Sequence, residues 1–376
     1  MSKKKKIRVD FRKNRQKPPR EQSWTRQFNA DQTGGDHLTG KEHVRARGDL
    51  SRKRTIVAEV NEADGEAQLA VDLSACQTGR VLKVHGTQQV YVADEQGQTH
   101  VCAVRRLLRT MTIEEGNVVA CGDRVWFRKD DNGGNFIEKV EPRYGILTRS
   151  AKGHEQVLVA NVDQVVIVIA LVEPYLKPHL IDRYLVSAAA GRIRPIICLN
   201  KADLVKPAEH QTLVGTYSQL GITILLTSAK TGAGIATLRD LVLGQETVFA
   251  GQSGVGKSSL LNAIEPGLEL KVSEVSEANQ KGRHTTTTAE LIRLQQGGWV
   301  VDTPGIRQFA LWKIIPEELD GAFPEFRPHV ARCRFPGCSH THEADCAVKL
   351  ALDQGWISTQ RYESYLDLFH GRLEES

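Results

Sequence analysis

The chain of 376 residues is 40% hydrophobic and 25% charged, which suits a globular protein of two or three domains, and no run of eighteen apolar residues exists, which excludes a helical membrane span. The net charge of +5 hides a split: residues 1–60 carry 17 Lys and Arg against seven Asp and Glu, whereas the remainder is acidic by five. The basic arm points to a polyanionic partner, and the Lys-rich start lacks the apolar core and cleavage site of a signal peptide, so a cytoplasmic chain is expected.

Residues 1–75 read as a disordered basic arm and polar linker. Lys3-Lys4-Lys5-Lys6 opens a stretch without apolar periodicity, unable to bury enough surface to offset its ordering entropy. Trp24 and Phe28 interleave with the charges and are candidates for stacking on bases. Residues 76–145 hold short predicted strands over 80–84, 89–93, 99–105, 124–128 and 136–140, with turns at Gly86, Glu95-Gln96-Gly97 and Asp131-Asn132-Gly133-Gly134. Five strands in this span predict a small Greek-key β-barrel, and an OB-fold is the choice; such folds often carry nucleic acid on one face.

Over 146–310 the pattern becomes α/β. Val165-Val166-Ile167-Val168-Ile169-Ala170 is a continuous, largely β-branched run. Predicted strands 165–170, 195–199, 222–226, 247–250 and 299–301 alternate with helices 178–190, 207–220, 234–243 and one from 258. That rhythm implies a parallel sheet covered by helices on both faces. Residues 311–376 form a mixed tail ending in amphipathic helices.

Chemistry-bearing motifs punctuate the α/β segment. Gly251-Gln252-Ser253-Gly254-Val255-Gly256-Lys257-Ser258 is a G-x-x-x-x-G-K-S phosphate loop between a strand and the helix entered by Ser258 and Ser259. Its glycines let backbone N–H groups converge on an anion, Lys257 reaches the β- and γ-phosphates, and the Ser258 hydroxyl suits Mg²⁺. Asn200-Lys201-Ala202-Asp203 is N-K-x-D at a strand end. The Asp203 carboxylate accepts from guanine's ring N–H and 2-amino group, which adenine lacks. The next strand ends in Thr227-Ser228-Ala229-Lys230, whose backbone can meet the guanine O6. Asp302-Thr303-Pro304-Gly305 completes the set as D-x-x-G, with Asp302 holding Mg²⁺ through water and the Gly305 N–H sensing the γ-phosphate. In Gly282-Arg283-His284-Thr285-Thr286-Thr287-Thr288, Thr286 is favoured over Thr285 as a Mg²⁺ ligand, and the last two threonines are expected in an edge strand.

N-K-x-D precedes the phosphate loop, which precedes D-x-x-G, so the order is that of a circularly permuted P-loop GTPase domain. The chain after Asp302 then runs directly into the tail, which is expected to feel the nucleotide state. The residue after Gly305 is Ile306, where a Ras-type enzyme places the glutamine that orients water. Another group must act, or the protein is a nucleotide-gated RNA-binding factor of negligible turnover. His284 is the candidate catalytic group, beside Thr286 and Lys257.

Cys76, Cys102, Cys121 and Cys198 are scattered, but the tail carries Cys333-x₄-Cys338-x-His340-x-His342-x₃-Cys346. Three thiolates and one imidazole make a closed, structural Zn²⁺ site, and spacing leaves His340 and His342 both open.

Taken together, the permuted order, the barrel in front, the G-Q-S-G-V-G-K-S loop, the G-R-H-T-T-T segment and the Cys/His cluster resemble the ribosome small-subunit-dependent GTPase A family over about residues 79–370. The resemblance implies GTP hydrolysis stimulated by the small (30S) ribosomal subunit, a part in its late maturation, contact with 16S rRNA, and one zinc ion. It also implies His340 as the fourth zinc ligand and His284 as the group that positions water. A monomer without membrane attachment is expected.

Overall fold

The computed structural model describes residues 3–10, 53–60, 67–69, 73–86, 89–105, 108, 117–129, 134–151, 154–270, 289–302 and 316–372. Two compact units result: residues 1–72 with 109–111, and 73–108 with 112–376. The first holds an antiparallel sheet in which β1 (Lys3–Asp10) pairs with β2 (Lys53–Val60), and β2 pairs with β3 (Ala67–Leu69). Strands therefore occur within the stretch that composition assigns to an unstructured arm. Local β-branched segments such as Thr55-Ile56-Val57 are masked when charge is averaged over the whole arm.

In the second unit, β4 (Gln77–His85), β5 (Gln89–Asp94), β6 (Thr99–Val104), β7 (Arg124–Lys129) and β8 (Asn135–Val140) run in the order β4-β5-β6-β8-β7 and close through β4–β7 pairing. The β6–β8 pair is parallel and the others antiparallel, the topology of an OB-type barrel. Val81, Val92, Phe127 and Ile137 fill its interior. A hairpin of β9 (Leu147–Ala151) and β10 (His154–Val159) follows where no strand is predicted, because Lys152-Gly153 interrupts the apolar pattern.

The α/β layer is built on β11 (Gln164–Ala170), every residue of which is buried. Side chains alternate across a strand, so Val165, Ile167 and Ile169 join one core while Val166, Val168 and Ala170 join the other. A continuous apolar run is thus what a strand covered on both faces requires. The parallel order is β13 (Thr223–Leu226), β12 (Arg194–Asn200), β11, β14 (Glu246–Ala250), β16 (Trp299–Asp302). Helices α1 (Pro178–Ala190) and α2 (Gln211–Ser218) supply Ile181, Tyr184 and Tyr217 to the first core; α3 (Ile235–Val242) and α4 (Lys257–Ile264) supply Leu238, Leu260 and Leu261 to the second. The predicted helix 207–220 divides into a 3₁₀ turn, Pro207–His210, and α2.

β15 (Glu290–Arg293) pairs antiparallel with β16 and meets β4 of the barrel at Glu290 and Lys83, so one sheet runs from α/β layer to barrel. Thr287 and Thr288, expected in an edge strand, lie outside the described residues. Arg80 of β4 forms an ion pair with Glu246 at the start of β14 and donates to the Asn161 carbonyl at 3.0 Å. The tail comprises α5 (Arg327–Val330), α6 (Ala347–Asp353) and α7 (Thr359–Phe369) around Phe323, Phe326 and Tyr365, with Val186 of α1 in the same core.

A buried pair holds the exit of the barrel. Asp123 is fully buried; it accepts two bonds from Arg143 at 2.8 and 2.9 Å and the Ala120 N–H at 2.7 Å. Arg143→Met strands that carboxylate, and at a cost of about 3 kcal/mol and roughly 2 °C per kcal/mol the thermal midpoint is expected to fall by about 6 °C in a melting experiment.

Candidate functional site

The phosphate loop leaves β14 at Ala250 and enters α4 at Lys257. Gly251 (φ 147°) lies where an added Cβ would stand 2.2 Å from the Val168 carbonyl oxygen, and Gly256 (φ 95°) where it would stand 2.4 Å from Nδ2 of Asn200. Both approaches exclude any side chain, so these glycines answer a packing demand as well as a turn. Gln252, Ser253 and Gly254 (φ 80°) carry the chain over, and buried Val255 anchors the loop in the second core. The Lys257 ammonium lies inside the loop, donating to the Gly251 carbonyl at 2.8 Å and the Gln252 carbonyl at 2.7 Å. Ser258 and Ser259 stand in the first turn of α4, whose N–H groups have no acceptor within the helix itself.

The N-K-x-D residues leave the end of β12. Asn200 donates from Nδ2 to the Val255 carbonyl at 2.8 Å, joining this motif to the phosphate loop, and its Oδ1 accepts the Thr227 hydroxyl at 3.3 Å. Lys201 turns through a left-handed conformation (φ 63°), and its ammonium donates to the Glu173 carbonyl. A 3₁₀ turn, Ala202–Leu204, presents Asp203; the Ala202 N–H bonds the Thr227 carbonyl at 3.0 Å. Asp203 Oδ1 accepts the Ser228 hydroxyl at 2.6 Å, and Ser228 Oγ accepts the Thr231 N–H at 3.1 Å. Ala229 and Lys230 form the turn beside it. Two contributors escaped the sequence reading: the Thr227 hydroxyl, which orients Asn200, and the Glu173 carbonyl, which holds Lys201. Neither carries a sequence signal, since one is a buried threonine and the other a backbone atom.

Asp302 closes β16, whose Val301 pairs with Val248 of the phosphate-loop strand. Its side chain, and His284, Thr285, Thr286, Gly305 and Ile306, lie outside what is described.

In the tail, one donor atom each from Cys333, Cys338, His340 and Cys346 lies within 4.8 Å of every other. His340 Nδ1 is 3.6 Å from the Cys333 sulfur and 3.4 Å from the Cys346 sulfur, and those sulfurs are 3.9 Å apart. A tetrahedral ion with metal–sulfur bonds of about 2.3 Å requires edges of about 3.8 Å, so the donors fit one metal ion with no open position. Burial, followed by the neighbouring Cys346 and Cys333, pushes the Cys338 thiol up to about 12, and a bound cation reverses that penalty. Burial also lowers the His340 pKa, partly offset by Asp320, which favours the neutral, ligating imidazole. Its outer nitrogen has no hydrogen-bond partner among the described residues; Asp320 Oδ2 stands 3.7 Å away. His342 is exposed and bonds Thr341 instead. The Tyr362 and Tyr365 hydroxyls donate to the carbonyls of His340 and Ser339 at 2.6 and 2.8 Å, bracing the ligand loop.

Comparison with known proteins converges on one family. The RsgA GTPase family profile matches residues 140–312. The "Small ribosomal subunit biogenesis GTPase RsgA" of Thermotoga petrophila is 41% identical over 304 residues, covering 80% of this chain and 98% of that protein. Its counterpart in Moorella thermoacetica is 44% identical over 288 residues, covering 77% and 94%. Among solved structures, YjeQ from Thermotoga maritima superposes with a TM-score of 0.65 at 37% identity, covering 80% of this chain and 100% of that one. YloQ, described as a circularly permuted GTPase, superposes at 0.59 with 31% identity, covering 81% and 98%.

Choice of histidine at the metal cluster is directly testable. His340→Ala is expected to bring bound metal, measured by elemental analysis, from about one ion per chain toward none, while His342→Ala retains it.

Proposed function

The chain belongs to the RsgA GTPase family, and from that premise we propose how its residues perform GTP hydrolysis in the biogenesis of the small ribosomal subunit. Support comes chiefly from the Asn200–Val255 hydrogen bond, which makes the base-reading turn and the phosphate loop two ends of one site. At the base end, Asp203 accepts guanine's N1–H and 2-amino group while Ser228 holds the carboxylate, and the backbone of Ala229 and Lys230 meets O6. At the phosphate end, the N–H groups from Gly251 to Ser259 surround the anion, and Lys257 exchanges its loop carbonyls for phosphate oxygens.

Ser258, Thr286 and Asp302 would hold Mg²⁺, which supplies charge neutralisation on the β- and γ-phosphates when bound. His284 orients the water whose oxygen bonds the γ-phosphorus as the bond to the β–γ bridging oxygen breaks, giving GDP and phosphate. The Gly305 N–H reports the γ-phosphate.

The Cys₃His cluster holds zinc in a structural role, since its ligand set is closed. We assign residues 76–145 to the barrel, 146–310 to the GTPase domain and 311–376 to the zinc-binding tail, after an N-terminal segment over 1–75. The basic N-terminal segment and the barrel face are the surfaces that suit 16S rRNA, and the protein acts as a cytoplasmic monomer.

Turnover measured alone, with small subunits and with large subunits tests this reading. Stimulation by small subunits only is expected; equal stimulation by large subunits, or none by either, overturns it. Loss of the water-positioning imidazole in His284→Ala is expected to leave GTP affinity nearly intact and to lower subunit-stimulated turnover by about tenfold or more, read in single-turnover kinetics.

A further inference from the structure

Besides the packing of Val186 in its core, the tail meets the α/β layer through a buried cation. Arg361, on α7, is 2% exposed and donates from Nη1 to Oδ1 of Asp182 on α1 at 2.7 Å. Its Nε and Nη2 donate to the two carboxylate oxygens of Glu325 at 2.6 and 3.1 Å. The guanidinium also lies over the rings of Phe323 and Tyr217, 4.4 and 5.8 Å from their centroids. Asp182 is fully buried, and the same Oδ1 accepts the Tyr217 hydroxyl at 2.7 Å; that hydroxyl also faces the Pro178 carbonyl at 3.3 Å and accepts from Gln360 at 3.1 Å. Burial opposes the charge on Arg361, but Asp182 and Glu325 outweigh it, so its pKa stands above the ordinary value and the cation is permanent.

A buried ion pair adds little adhesion that apolar packing would not supply; what it contributes is a fixed geometry. That geometry bears on the base end of the site. Helix α1 follows β11 through the loop carrying Glu173, whose carbonyl holds Lys201. Helix α2 follows β12 after the turn carrying Asp203, and Tyr217 of α2 shares a core with Ala202 and Val205 on either side of that aspartate. Through Asp182 and Tyr217, Arg361 therefore links the two helices that follow the Glu173 loop and the Asp203 turn.

We propose that Arg361 is a positioning residue for guanine recognition, holding the Asp203 turn in register through Asp182 and Tyr217. The tail is then a working part of the nucleotide site as well as a separate module. This inference rests on the reading that the site binds guanine nucleotides.

The test uses the full, metal-loaded chain and measures affinities for GDP, IDP and ADP by competition with fluorescent GDP. IDP lacks the 2-amino group that Asp203 accepts, so the GDP-to-IDP affinity ratio reports the placement of that carboxylate. Tyr217→Phe keeps the ring and removes only the hydroxyl links; Arg361→Met removes the cation; Arg361→Lys restores the charge without the fork. The first two are expected to lower the GDP-to-IDP ratio by about fivefold, with partial recovery in Arg361→Lys. A wild-type ratio in folded, metal-loaded Tyr217→Phe and Arg361→Met overturns the proposal, even if overall affinity falls, because a purely structural role weakens both nucleotides alike. Should Arg361→Met fail to fold, Tyr217→Phe alone decides. A wild-type protein that binds ADP as tightly as GDP instead removes the guanine reading itself.

Discussion

One amide joins the N-K-x-D turn to the phosphate loop. Asn200 sits at the end of β12 and the phosphate loop at the end of β14, with β11 between them, yet Nδ2 of Asn200 reaches the Val255 carbonyl at 2.8 Å. That reach is open only because Gly256 has no Cβ to obstruct the amide and Gly251 lets the loop lie against the Val168 carbonyl. The bond is tertiary, made between residues 55 apart in sequence. Permutation of the chain therefore leaves it untouched: the sheet order determines which strand ends are neighbours, and the point at which the chain begins does not enter.

The same sheet accounts for the attachment of the barrel. Glu246 opens the phosphate-loop strand and is gripped by Arg80 of the barrel, while β15, the strand leading to Asp302 through its hairpin with β16, touches β4. Barrel and nucleotide layer thus share a backbone connection and a half-buried ion pair at the strand that positions the phosphate loop. Glu290 is the shared register position, opposite Asp302 of β16 on one side and Lys83 of β4 on the other.

The tail shows a different economy of packing. Its helices are short, and its core is dominated by aromatic rings: Phe323, Phe326, Tyr362 and Tyr365 pack at centroid separations of 4.9 to 6.4 Å. Such a core carries polar handles, and two of its hydroxyls go to the carbonyls of Ser339 and His340 in the ligand loop. The Cys₃His loop and the aromatic core are therefore joined by two direct hydrogen bonds.

Much of this was legible in the residues themselves. The phosphate loop and N-K-x-D carry their chemistry in side-chain type and local spacing, and β11 declares its two-sided burial by an unbroken β-branched run, so motifs and strands could be placed from local rules. The β9–β10 hairpin, the strands within the basic N-terminal segment and the choice of His340 over His342 were not legible in this way. A hairpin broken by polar residues and a charged strand have weak local patterns, and two histidines two residues apart satisfy the same spacing; only the fold turned one inward through a left-handed backbone at φ 56° and left the other exposed. Sequence by itself determined which chemical groups are present and which helices and strands bear them, because those follow from composition and periodicity. Tertiary structure alone decided which groups touch, from Asn200 on Val255 to Arg361 on Asp182, because contacts between distant residues depend on sheet order and helix packing that no local pattern encodes.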